Sequence, residues 1–498
     1  MNRPLKLIVS TLLLLGGLGA LLVVQRPTVN DSGAALMMYC AAGMTKPVEE
    51  IVAQYKAEYG VEVQLQFGGS GTLLSNIEVA QQGDLFLAAD ATYIDIAREK
   101  ELLDESMEIA RLRPVLVVAK GNPHQVKSPQ DLLSGALRIS LANPDAASVG
   151  KVTKDLFTKL GMWEKISAVT TEKGVFKPTV NDIANDVKIG AVDVGLVWDA
   201  VAAQYPDLDA VNFPEADAFV QKTTVGILKT AKQPTAVLRF ARYLTARDKG
   251  LPIFEKHHFP PVDGDAWAVT PEVLYYSGGV NRVAIEKTLK AFQEREGVAI
   301  TTVYNGCGIL VGQIKTGEQP DVYHTCDASF MAGVEERFTK ADPISRTAIL
   351  IAVQKGNPKG IHELADLAKE GLQVGLCNEK ESTLGALTVK MLQDLGIHDA
   401  VFKNVVVTTP TADLLVSQLT VGKLDAAVIY RANTTYVMDR IDILEIKTPG
   451  AMATQTYAVS NQTDYPKLLE RLHFAIRSAE SQSLFGNAGF EYLPPAGS

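Results

Sequence analysis

The feature that most constrains this chain is an internal repeat. At an offset of 237 residues, Tyr39-Cys40-Ala41-Ala42-Gly43 aligns with Tyr276-Ser277-Gly278-Gly279-Val280. At the same offset Phe67-Gly68-Gly69-Ser70-Gly71 aligns with Tyr304-Asn305-Gly306-Cys307-Gly308, and Asp84 and Asp90 with Asp321 and Asp327. Further on, Lys120-Gly121-Asn122-Pro123 answers Lys355-Gly356-Asn357-Pro358 at 235, and Gly195-Leu196-Val197-Trp198 answers Ala427-Val428-Ile429-Tyr430 at 232. The shrinking offset is what small loop deletions produce, and chance does not keep such an order over a unit of this length. A chain of 498 residues is therefore an N-terminal segment (1–35) followed by two domains, 36–267 and 268–498. With 47% hydrophobic and 21% charged residues, each copy has the means to build an ordinary core. The net charge of −9, without a Lys/Arg block, argues against a nucleic-acid partner.

Leu7 to Val24 is an uncharged apolar run preceded by Arg3 and Lys6. Its 18 residues would span about 27 Å as a helix, near the thickness of a bilayer core. The basic flank would stay in the cytoplasm, so the repeats are expected outside the inner membrane, tethered by an uncleaved anchor or released from a signal peptide. Gln25 to Ala35, with Pro27 and Gly33, has the composition of a tether.

Within each copy, strand and helix patterns alternate. Leu36–Ala41 reads as a strand, and Pro47–Tyr59 as a helix with Val48, Ile51, Val52 and Tyr55 on one face and Gly60 at its end. Val61–Leu65 is a strand, a helix starts from Thr72, and Leu85–Ala88 is again a strand. This alternation predicts an α/β fold with mainly parallel sheets, and a crossover near Lys120 would divide each copy into two lobes around a cleft. In such sheets ligands sit beyond the carboxyl ends of strands, where helix starts present N–H groups. Gly69-Ser70-Gly71 is in that position and is either a tight turn or a cradle for a small anion. No GxSxG, HExxH or Walker A pattern occurs, so no enzyme chemistry and no cofactor is expected. His257-His258 reads as a surface pair, and Asp90 and Asp327 as helix caps.

Tyr39-Cys-Ala-Ala-Gly-Met-Thr-Lys-Pro47, the Phe67–Leu73 loop, Gly83–Asp90, Asn143–Gly150 and Leu160-Gly-Met-Trp163 together resemble the periplasmic molybdate-binding proteins of ABC importers. The likeness covers nearly all of the first copy and, more loosely, the second. It implies the type II solute-binding fold, a dehydrated oxyanion held by neutral donors between two lobes, and an ABC permease as partner. Carried over by position, the family's first serine falls on Gly43, its second on Ser70, its backbone donors on Val149 and Val180, and its tyrosine on Trp198. In the second copy the same positions are Val280, Cys307, Leu384, Ala412 and Tyr430.

Cys307, Cys326 and Cys377 all fall at predicted strand ends of the second copy, with His324 two residues before Cys326. Three thiols facing one cleft could ligate a soft metal such as Cu(I) or Zn. In an oxidising compartment they could instead pair as a disulfide and leave one thiol buried. The expected function is capture of a molybdate- or tungstate-like oxyanion for an ABC transporter. The alternative is a membrane-anchored sensor, or a metal- or thiol-handling protein on the same duplicated fold.

Overall fold

A computed structural model describes residues 35–495, so the apolar run Leu7–Val24 and all of the tether Gln25–Ala35 except Ala35 itself lie outside the described residues. Among the described residues no helix is long and apolar enough to cross a membrane. The chain divides into two compact units, with the break between Val269 and Thr270.

The strands of unit one are β1 (Leu36–Ala41), β2 (Val63–Gly68), β3 (Leu85–Ala88), β4 (Leu103–Leu112), β5 (Pro114–Ala119), β6 (Ile139–Ala142), β7 (Val175–Lys177), β8 (Val194–Trp198), β9 (Leu208–Val211) and β10 (Gln221–Leu228). They form two five-stranded sheets, β2-β1-β3-β10-β4 and β7-β6-β8-β5-β9, one per lobe. Strands separated by helices pair in parallel, as β1 does with β2 and β3. Strands that return from the other lobe run against them: β10 is antiparallel to β3 and β4, and β5 to β8 and β9.

The expected crossover near Lys120 falls instead at Arg113, between β4 and β5. Lys120 to Asn122 forms an outer turn, with Gly121 and Asn122 at positive φ, so the chain reverses there without changing lobes. Arg113 is held at the junction by its own N–H to the Asp199 carboxylate (3.1 Å) and by its guanidinium to the Phe213 carbonyl (2.9 Å).

Unit two repeats the plan with β11 (Glu272–Gly278), β12 (Ala299–Asn305), β13 (Val322–His324), β14 (Asp342–Gln354), β15 (Val374–Cys377), β16 (Val405–Thr409), β17 (Ala426–Tyr430), β18 (Ile441–Glu445), β19 (Met452–Val459) and β20 (Glu491–Tyr492). Its counterpart of β4 and β5 is one unbroken strand. The first half of β14 pairs with β19 and the second half with β17 and β18, which fuses the two lobes' sheets into one ten-stranded sheet.

Local chemistry explains the agreement between copies. The helix Thr45–Tyr59 buries Val48, Ile51 and Tyr55 and ends at Gly60 with φ 74°; the helix Arg282–Glu296 buries Ile285, Leu289 and Phe292 and ends at Gly297 with φ 64°. A left-handed C-cap of this kind favours glycine. Asp84 accepts from the Met37 N–H and Asp321 from the Leu274 N–H, both at 2.8 Å, so these repeated carboxylates tie strand starts together. Each unit has its own apolar core. Unit one closes its end with Trp267, which donates to the Tyr59 hydroxyl (2.8 Å) and packs edge-on against Tyr243.

In unit two, Arg471 makes a two-pronged salt bridge to Glu296 (2.8 and 3.0 Å), with the two side chains 10% and 1% exposed. Removing one partner of such a pair strands the other's charge at a cost of about 3 kcal/mol. All three tryptophans (Trp163, Trp198 and Trp267) lie in unit one. Arg471→Ala is therefore expected to lower the urea midpoint of the circular-dichroism transition while leaving the tryptophan-fluorescence transition in place. Coincident shifts in both signals would refute independent cores.

Candidate functional site

In unit one the carboxyl ends of β1 and β2 lie side by side, Ala41 opposite Gly68, and both run straight into helix starts. Gly43 sits in the short turn Ala42–Met44. The next helix begins at Ser70, two residues earlier than expected, which puts the Ser70 hydroxyl in its first turn. From the other lobe, Val149 lies in the first turn of the helix Ser148–Lys159, Val180 opens the helix Val180–Lys188, and Trp198 ends β8. The structure thus places all five positions at strand ends or in the first turns of helices.

The two lobes are in contact across that cleft. The N–H groups of Gly71 and Thr72 both donate to the Ala146 carbonyl (3.0 and 3.2 Å), and the Asn181 amide donates to the Ala42 carbonyl (2.7 Å). A Cβ on Gly69 would lie 2.3 Å from the Ala146 oxygen and 2.7 Å from that of Pro178, and one on Gly71 would lie 2.5 Å from the Asp145 oxygen. These glycines let backbone meet backbone, so part of the Gly-Ser-Gly loop's donor capacity is spent on closure. Ser70 is 1% exposed; its oxygen accepts from the Ala89 N–H (3.3 Å), and its own proton remains available to donate.

Two further groups belong to this site. The Ser148 hydroxyl is buried without a hydrogen-bond partner. Asp90 caps the helix Ala91–Glu99 as expected, through the Thr92 N–H (2.8 Å), but its second carboxylate oxygen is buried and unpartnered. Burial raises the Asp90 pKa against the opposing hydrogen bonds from Thr92. Ser148 could have been found by reading down the repeat, since its counterpart Thr383 also carries a hydroxyl. That hydroxyl too is buried and unpartnered.

Unit two keeps the backbone geometry and changes the side chains. Gly308 donates to the Glu381 carbonyl (3.1 Å), and a Cβ on Gly306 would lie 2.2 Å from that same oxygen. Cys307 opens the helix Cys307–Lys315, and its sulfur accepts from the Cys326 N–H (2.9 Å), as Ser70 accepts from Ala89. Val280, Leu384 and Ala412 occupy helix starts and are buried. Tyr430 ends β17 with its hydroxyl buried and unpartnered, raised far above the ordinary tyrosine range by burial and by the nearby Cys326, Cys307 and Cys377.

The three thiols do not form the metal-ligand set considered from the sequence. Among the described residues no group of three His, Cys, Asp or Glu side chains is placed to hold a metal ion, and all four cysteines are free and buried. Cys377 turns toward the Thr409 hydroxyl (3.9 Å), its thiol pushed up to about 11 chiefly by burial. His324 points into the core, where Tyr275 meets its Nδ1 (3.0 Å) and burial lowers its pKa to about 3. Asp327 caps the turn Ala328–Phe330, and His257 pairs with Glu50 at 2.8 Å.

The chain is similar to several known proteins. The chain is 28% identical over 225 residues to the molybdate-binding protein ModA of Mycobacterium tuberculosis, a span of 44% of this chain and 83% of that one. It is 30% identical over 140 residues to ModA of Escherichia coli, covering 26% and 54% respectively. Among solved structures, the periplasmic molybdate-binding protein of Azotobacter vinelandii aligns at 18% identity and TM-score 0.41, over 46% of this chain and all of that one. The sulfate-binding protein SubI of Mycobacterium tuberculosis aligns at 15% and 0.40, over 45% and 88%. The family model of bacterial extracellular solute-binding proteins matches residues 36–260 and again 273–491. The chain accordingly belongs to the bacterial extracellular solute-binding protein family and carries that domain twice in tandem.

Proposed function

We propose that the chain captures a small tetrahedral oxyanion of the molybdate or tungstate kind outside the cytoplasm and presents it to an ABC permease. The observation that carries this reading is the first cleft. Ser70, Ser148 and the helix starts at Val149 and Val180 gather neutral donors among buried residues, and the one acidic group beside them, Asp90, has its pKa raised by burial. Neutral donors and helix N-termini hold a dehydrated oxyanion without a counter-ion. Relatives named for molybdate support the choice of anion. With Gly43 where the family has a serine and Trp198 where it has a tyrosine, the first cleft has lost two hydroxyl donors. Its anion is held mainly by main-chain amides and the Ser70 hydroxyl. The second cleft, with no serine at either position, is the weaker oxyanion site.

A thermal-shift screen of the protein against molybdate, tungstate, sulfate and phosphate tests the reading, because a ligand bound only by the folded state raises its melting temperature. Molybdate or tungstate is expected to raise it most, and no shift with any of the four anions would overturn the proposal. Ser70→Ala removes one donor and is expected to weaken calorimetric binding by about 1–2 kcal/mol, roughly five- to thirtyfold. Gly69→Ala acts differently, since its methyl would sit 2.3 Å from the Ala146 oxygen and wedge the lobes apart. Affinity should fall at least about tenfold with little change in the melting temperature of the unliganded protein. Small-angle scattering should also show no compaction on adding ligand.

A further inference from the structure

The second cleft differs from the first by a set of exchanges that fit one another. Where unit one has Ala41, Ser70 and Ala89, unit two has Gly278, Cys307 and Cys326. A Cβ built on Gly278 would lie 2.3 Å from the Cys326 sulfur and 3.2 Å from the Cys307 sulfur. Both sulfurs therefore share the space that a methyl group fills in the other copy, and the glycine makes room for them. Cys307 stands at a helix N-terminus, with the Cys326 N–H donating to its sulfur. The hydroxyls of Tyr323 and Thr383 are buried there too, without hydrogen-bond partners of their own. Donors converging on one sulfur at a helix start favour the thiolate, the nucleophilic form of cysteine. Burial works against this, but the hydrogen bonds from Cys326 outweigh it and lower the Cys307 pKa, while Cys326 is raised by its hydrogen bond with Cys307 and by burial.

We propose that Cys307 and Cys326 form a dithiol–disulfide site at the base of the second cleft, with Cys307 as the attacking thiol and Cys326 as the resolving one. The co-reactant is a small disulfide. The Cys307 thiolate attacks one of its sulfurs, forming a mixed disulfide and releasing a first thiolate. Cys326 then gives up its proton, and its sulfur attacks the Cys307 sulfur, forming the Cys307–Cys326 bond and expelling the second thiolate. The two cysteines lose two electrons, and the small disulfide gains them as two thiols. Both sulfurs are buried, so the exchange proceeds when the Gly308–Glu381 contact opens. The site stands independently of which anion either cleft takes.

The test treats the native full chain with oxidised glutathione, alkylates the remaining thiols in denaturant and maps peptides by mass. Two of the four free cysteines should become protected in one linked pair, 307 with 326, and dithiothreitol should restore them. Cys326→Ala should stop at a glutathione adduct on Cys307, whereas Cys307→Ser should leave Cys326 alkylatable. Both variants restore residues that unit one already packs at these positions. Four alkylatable thiols in the treated wild type, or a bond that includes Cys377 or Cys40, would overturn the proposal.

Discussion

In both units the two lobes meet backbone to backbone, and in unit one the Asn181 amide adds a side-chain contact. Gly71 and Thr72 reach the Ala146 carbonyl, and Gly308 reaches that of Glu381. Neither approach leaves room for a side chain at the adjoining glycines, Gly69 and Gly306. The same residues that would hold a ligand thus hold the lobes together. Should the site take a ligand, binding and closure would be coupled, because the same contacts position the donors and shut the lobes. Ser70, Val149 and Trp198 are each buried at this meeting of the lobes.

The two copies show how one scaffold supports different chemistry. Strand order, helix caps and cross-cleft contacts are shared, since they depend on glycines, apolar faces and carboxylates that both copies contain. The lining side chains are free to change, and in unit two they change together. A larger atom at Cys307 and another at Cys326 are offset by a smaller one at Gly278. Interiors are close-packed, so such exchanges must compensate in volume.

Much of this was legible in the sequence. The repeat marked the two units, and the apolar runs of β1 and β3 were readable to the residue, β3 with Gly83-Asp84 before it and Asp90 close after it. The crossover was not legible. Arg113 has no composition that marks a hinge, whereas Lys120-Gly121-Asn122-Pro123 has strong turn chemistry and turns out to be an edge loop. The site was readable as positions but not as partners. That Cys326 lies against Cys307 while Cys377 turns to Thr409 depends on how loops from three strands converge, and spacing along the chain does not carry that information. The buried hydroxyls of Ser148 and Thr383 were visible only as a matched column of the repeat.

The unbroken β14 has a mechanical consequence. In unit one the crossing segment is interrupted at Arg113, so bending of the lobes can concentrate in the dihedral angles of a single residue outside the strands. In unit two the strand itself continues through the junction while its partner changes from β19 at Ala348 to β17 at Ile349, so any bend must be taken up within a strand that is paired on both sides. The second clamshell is the stiffer spring of the two.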